Sequence, residues 1–190
     1  MKEKFIKKYM RMAKFIAEDQ NPCHSRNIGI VLVDPVANRV ISTGYNGPPK
    51  DVPHTDDPEY LREVVWPQLT NEEKIHAKCN SVEEFVEGYG NCATCPRKIV
   101  GAASGTRLEL CSCTHGEANS IVNAANDTHG SYMFCYCGVP CIECTKLIIN
   151  AGVKKVYCIK WEKDYSVGSR WLFKKAGIEV IVIEKEFFET

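Results

Sequence analysis

Three side chains in this sequence have the types and spacing of a metal centre: His115, Cys141 and Cys144. Zinc takes a tetrahedral shell of nitrogen and thiolate sulfur, and a catalytic zinc keeps one position open for water. Cys141 and Cys144 lie three residues apart, so on a helical turn they share a face. Pro140 just before them suits a helix start, where a missing N–H costs nothing. Glu117 lies two residues beyond His115 and is not needed as a ligand. It is placed to carry protons between water and a substrate. A structural zinc with an incidental surface glutamate is the plainer alternative, and a lone Cys-x-x-Cys would leave it open. His-x-Glu with Pro-Cys-x-x-Cys, each opening a helix, favours the catalytic reading.

Those two helix starts need a frame. The pattern predicts a helix from about His115 through Ala125, with Thr114 as its cap, then a strand over 132–137 and a helix over 141–150 ended by Gly152. Strands over 153–159 and 178–183 flank a short helix over 169–175 that stops at Gly177. Both ligand groups would then sit at helix N-termini, whose partial positive charge favours thiolates. Upstream, residues 3–19 read as an amphipathic helix with Phe5, Tyr9, Met12, Ala13 and Ile16 on one face. Residues 28–33 and 39–45 read as a hairpin around the turn at 34–38. Strands alternating with helices argue for an α/β sandwich whose second half is largely parallel. Tyr45-Asn46-Gly47 is, on local grounds, a turn.

Residues 48–112 break the regularity. Pro48, Pro49, Pro53, Pro58 and Pro67 punctuate them, and short helices are predicted at 56–66 and 81–87, with Ser81 and Glu84 as a capping box. Such a long irregular insertion needs a stabilising device or a function. It carries Cys79, Cys92, Cys95 and Cys111, with Cys113 just beyond, and Cys92-x-x-Cys95 has the spacing of half a zinc knuckle. Eleven cysteines, an odd count with Cys-x-x-Cys pairs, fit metal binding in a reducing compartment better than a disulfide framework.

The 190 residues are expected to form one domain, with the insertion at about 48–112. Twenty-four basic and 24 acidic side chains balance to a formal charge of zero, which argues against a nucleic-acid polymer as partner. With no long apolar run at the N-terminus, neither a signal peptide nor a membrane span is expected, and a cytoplasmic location is.

With these residues placed, the chain resembles the deoxycytidylate (dCMP) deaminases of the cytidine deaminase-like superfamily. His-x-Glu followed by Pro-Cys-x-x-Cys is the signature of the zinc nucleobase deaminases. The resemblance is carried further by Gly44-Tyr45-Asn46-Gly47-Pro48, by 115–121, by 147–156, by Cys95-Pro96-Arg97-Lys98, by Ser104-Gly105 and by Cys111. It implies a three-layer α/β/α sandwich around a central mixed five-stranded sheet. It implies hydrolysis of dCMP to dUMP and ammonia, with zinc on His115, Cys141 and Cys144, and Glu117 as the catalytic proton carrier. Alternatives are a deaminase acting on dCTP or deoxycytidine, or a zinc-bound interaction module whose His-x-Glu site is inert. Carried over by position, Asn46 contacts the sugar, the backbone at Gly116 holds the pyrimidine carbonyl, Tyr165 packs near the base, and Arg26 lies where phosphate contacts are found. Gly116 departs from the alanine usual at that position. Cys23 precedes the first strand, where some members place a ligand of a second zinc, so the expected second set is Cys23, Cys92, Cys95 and Cys111, with Cys113 in reserve. The family also implies a homohexamer under allosteric control by dCTP and dTTP, with Mg2+ accompanying the effector.

Overall fold

A compact apolar run over 30–33 and the turn after it produce the expected hairpin. β1 (Gly29–Asp34) pairs antiparallel with β2 (Arg39–Tyr45), and Asp34 Oδ1 closes the turn by accepting the N–H groups of Val36 and Ala37 at 2.9 and 3.0 Å. The computed structural model describes residues 1–125, 127–160 and 166–189. β3 (Tyr132–Tyr136), β4 (Lys155–Ile159) and β5 (Glu179–Ile183) complete one sheet in the order β2-β1-β3-β4-β5. β3 runs antiparallel to β1 and parallel to β4, which is parallel to β5. The sheet is therefore mixed and five-stranded, with its parallel half second.

In chain order the described helices are α1 (Glu3–Phe15), α2 (Pro58–Tyr60), α3 (Asn71–Ala77), α4 (Val82–Tyr89), α5 (Pro96–Ile99), α6 (Gly116–Val122), α7 (Ile142–Asn150), α8 (Val167–Lys175) and α9 (Glu186–Glu189). None is long and apolar enough to cross a membrane. The chain divides into two compact units. One takes Met1–Pro22, Asn27–Asn46 and His115–Thr190; the other takes Cys23–Arg26 and Gly47–Thr114.

The first unit contains the sheet, and the two-residue period of its strands sorts its core into two layers. Ile30, Leu32, Met133, Cys135, Val156 and Cys158 pack with Ile148 of α7 and Phe173 of α8. Val31, Val33, Phe134, Tyr157 and Ile159 point the other way, onto Tyr9 and Met10 of α1 and Phe188 of α9. Each such fully buried side chain stabilises by about 1.5–3 kcal/mol relative to exposure. Gly44 lets β2 approach α6: a Cβ there would stand 2.2 Å from the Gly116 carbonyl oxygen. Helix limits differ from expectation at several ends. α1 stops at Phe15 and continues as one wider turn over Ile16–Gln20. α6 has His115, not Thr114, at its N-cap and ends at Val122, short of Ala125.

The inserted unit is better packed than its irregular sequence suggests. Leu61, Val65 and Leu69 recur at helical spacing and close over Phe85, Ile99, Val100 and Leu110. Ser81 Oγ accepts the Glu84 N–H at 3.2 Å, but the Glu84 carboxylate takes the Asn80 N–H at 2.7 Å, so the predicted box is only half formed. The complete capping box lies at α3, between Thr70 and Glu73. That Thr-x-x-Glu was readable in the sequence and went unassigned.

Candidate metal and proton-transfer site

Two helix starts in the sheet-bearing unit build the site. His115 is the N-cap of α6 and Cys141 the N-cap of α7, which puts Cys144 in the first turn of α7. His115 Nδ1 stands 3.5 Å from Cys141 Sγ and 3.4 Å from Cys144 Sγ, and the three atoms all lie within 4.8 Å of one another. Tetrahedral zinc, at about 2.0–2.1 Å from nitrogen and about 2.3 Å from sulfur, spans such separations, so the donor set fits that ion. Cys144 is buried while His115 and Cys141 are exposed, which leaves an open side. The Cys141 thiol is pulled down to about 3 by the hydrogen bond from Cys144, against burial and with help from His115. Cys144 is pushed up for the same reason, since the two sulfurs share one proton. A metal ion would displace that proton.

Glu117 follows in the first turn of α6 and is only 4% exposed. Burial pushes its carboxyl above the ordinary range, although the neighbouring His115 charge opposes this. Its Oε1 lies 3.9 Å from Cys137 Sγ, and its Oε2 is buried with no hydrogen-bond partner among the described residues. A buried carboxylate oxygen left unpaired is costly, and here it stands beside the three ligand atoms.

Asn46, at the end of β2, is 6% exposed. Its Oδ1 accepts the Gly116 N–H at 2.8 Å, and its own N–H donates to Asn21 Oδ1 at 3.2 Å. Asn46 Oδ1 thus already accepts one hydrogen bond, and its second lone pair and the two Nδ2 donors remain. Within the backbone around Gly116, which the resemblance places against the pyrimidine carbonyl, the Gly116 N–H is given to Asn46. The glycine itself is accommodated tightly, since a Cβ would meet Tyr45 Cα at 3.1 Å and Ile30 Cγ1 at 3.2 Å.

The remaining expected residues fall elsewhere. Tyr165 lies outside the described residues. Arg26 belongs to the inserted unit, where its Nη2 donates to Ser104 Oγ at 2.6 Å. The set Cys23, Cys92, Cys95 and Cys111 does not assemble among the described residues. Cys92 is exposed in the turn after α4, its Sγ against the carbonyls of Gly90 and Gly88 at 3.3 and 3.6 Å, and Cys95 is buried at the N-cap of α5. Cys23 and Cys111 each share a hydrogen bond with Cys113 instead. The Cys113 thiol is pushed up by those two bonds, Cys111 first, while Cys23 is held at about 5 and Cys111 at about 6.

His54, which the sequence reading missed, stands with Nε2 3.6 Å from Cys113 Sγ. Its Nδ1 is 2.8 Å from Asp56 Oδ1, and His24 Nε2 is 3.2 Å from Asp56 Oδ2. The signal for it was His54 two residues before Asp56, too short and too common a pattern to single out.

The sequence pattern of the family described as "Cytidine and deoxycytidylate deaminase zinc-binding region" matches residues 3–160. The deoxycytidylate deaminase of Schizosaccharomyces pombe is 31% identical over 174 residues, covering 90% of this chain. The chain spans 42% of that protein's length. The deoxycytidylate deaminase of Enterobacteria phage T4 is 28% identical, with 90% of this chain and 86% of the phage protein covered. Among solved structures, the dCMP deaminase of cyanophage S-TIM5, in complex with dCMP and dUMP, superposes with a TM-score of 0.58 at 22% identity, covering 96% of this chain and 99% of the other. That likeness is one of fold. By the match over 3–160, the chain belongs to the cytidine and deoxycytidylate deaminase zinc-binding family.

Proposed function

We propose that the protein hydrolyses dCMP to dUMP and ammonia, supplying dUMP for thymidylate synthesis. The observation that carries this is a 4% exposed glutamate, one oxygen unpartnered, beside a His-Cys-Cys donor set. Zinc held by His115, Cys141 and Cys144 would supply Lewis acidity and lower the pKa of a water in its open position. The chain's own groups do the rest. Glu117 takes a proton from the attacking water and delivers it to N3 of the cytosine as C4 is attacked; it then takes the second proton, from the new C4 hydroxyl, and gives it to the departing amino group as the C4–N bond breaks and C4=O forms. Burial raises its pKa, the direction that favours proton uptake by a general base. Asn46 offers its two amide donors to the nucleotide's sugar. A free nucleotide needs no flipping from a duplex.

Incubating the purified protein with dCMP, dCTP and deoxycytidine, and following loss of cytosine absorbance, tests the reading. Turnover of dCMP well above that of deoxycytidine is expected, because a phosphate contact is charge-assisted. Equal or faster turnover of deoxycytidine overturns it.

The same reading includes a second, structural zinc on Cys23, His54, Cys111 and Cys113. It is supported by the shared hydrogen bonds of the three thiols and by the 3.6 Å approach of His54. Asp56 on the far nitrogen of His54 makes the carboxylate–histidine arrangement that orients metal-binding imidazoles. Metal analysis should return two zincs per chain. The resemblance extends the proposal to a cytoplasmic homohexamer controlled by dCTP and dTTP with Mg2+. Sedimentation and assays with added effectors test that part.

A further inference from the structure

β3 and the residue after it carry cysteines on the layer shared with α7. Met133, Cys135 and Cys137 alternate along the chain into that layer, and Cys158 stands opposite Cys135 in the pairing with β4. Cys135, Cys137 and Cys158 lie outside the His115, Cys141 and Cys144 set, and all three are buried. Cys137, 3% exposed, directs its Sγ at Oε1 of Glu117, 3.9 Å away. The other oxygen of that carboxylate has no partner among the described residues. The two oxygens are therefore unequal: one faces a thiol, the other is left for the reactants.

We propose that Cys137 is a positioning residue for Glu117, its S–H donating to Oε1 so that Oε2 is presented to water and base. The proposal rests on the reading of Glu117 as the proton carrier. The terminal torsion of a glutamate is broad, so a carboxylate with neither oxygen held would spread over many orientations. Cys141 and Cys144 cannot hold it, because sulfurs that ligate a metal have lost their protons. Cys137 is no ligand and is buried among apolar side chains, an environment that keeps a thiol protonated. A thiol is a weak donor, so it orients the carboxylate while leaving its proton affinity largely intact. At 3.9 Å the bond is long, and catalytic hydrogen bonds commonly tighten when substrate binds.

Cys137→Val and Cys137→Thr test this as a pair, because they share one shape and only threonine keeps a donor. The valine variant should lose roughly three- to tenfold in kcat with KM and zinc content unchanged, the threonine variant should recover most of that loss, and Cys135→Ala should stay near wild type. Equal kcat in the valine and threonine variants, with both folded, overturns the proposal. A second measurement needs no change at Cys137. In the S–H stretching region of the infrared spectrum of the zinc-loaded protein, one component should move to higher frequency in Glu117→Ala. An unchanged spectrum also overturns it. Should the wild type fail to turn over dCMP at all, the functional reading falls, while the S–H shift still reports on the contact.

Discussion

In the sheet-bearing unit, the donors His115, Cys141 and Cys144 come from the starts of α6 and α7, whose bodies are packed against five strands. In the inserted unit, Cys23, His54, Cys111 and Cys113 come from loops, and the unit's own core, built on short helices, is small. Backbone strain follows the same division. Of the non-glycine residues with positive φ, Asp51, Lys78, Asn91, Ala93 and Arg107 lie in the inserted unit, against Asn38 in the other. At Ala93 the cost is offset locally, since Asp56 Oδ2 accepts its N–H at 2.9 Å and the Asp56 carbonyl accepts that of Asn91 at 2.8 Å. The first donor set is held by packing; the second, proposed set comes from turns that a metal would lock. The first arrangement should survive loss of its metal, and the second should loosen.

Glu117→Ala carries the largest expected effect. Deamination should fall by about 10²–10⁴-fold, the range for a lost general acid–base group, with zinc content unchanged. Activity assayed beside metal analysis checks it, and zinc loss equal to that of Cys141→Ser would mean that Glu117 is a ligand.

Next is the loop-built cluster. Cys113→Ser should reduce two zincs per chain to one and raise proteolysis within 47–114, whereas Cys92→Ser should leave both unchanged. Equal effects of the two substitutions would break the contrast between gathered and isolated sulfurs.

Glycine substitutions sharpen the contrast with smaller effects. Gly44→Ala meets the backbone of α6 and should destabilise by about 1–3 kcal/mol, the usual cost of overpacking, with activity falling as His115 and Glu117 are displaced. Gly88, inside α4 with nothing within 4 Å of its missing Cβ, should gain up to about 1 kcal/mol on change to alanine. Chemical denaturation measures both.

The smallest effect is expected at Asp34. Its carboxyl is held below the usual range, first by the N–H of Ala37 and then by that of Val36. A depressed folded pKa adds stability above the unfolded value of about 3.9, and that gain disappears as pH falls through the lower folded value. Asp34→Ala should therefore lower Tm slightly at pH 7 and hardly at all in strong acid. A loss that persists at low pH would assign the effect to something other than the carboxylate.

The sheet and the cluster of His115, Cys141 and Cys144 were largely legible in the sequence because their signals are local. Alternation along 29–45 and 132–159 sets which side chains face which layer, and a two- or three-residue spacing on a helix start brings His115 beside Glu117 and Cys141 beside Cys144. Within the insertion, local patterns mark some helix starts, at Ser81 and Thr70, but not which sulfurs meet. Cys92-x-x-Cys95 looked like a ligand pair because its spacing is right. Yet Cys95 is turned into the unit's interior and Cys92 onto nearby carbonyls. His54 and Cys113 meet across 59 residues, and Asn46 takes the Gly116 N–H across 70. No short-range rule covers such distances. They are decided by the path of the loops and by how closely Gly44 and Gly116 let two backbones approach. That is why the sequence alone determined the chemistry available to this protein, while the tertiary structure decided which side chains hold it in place.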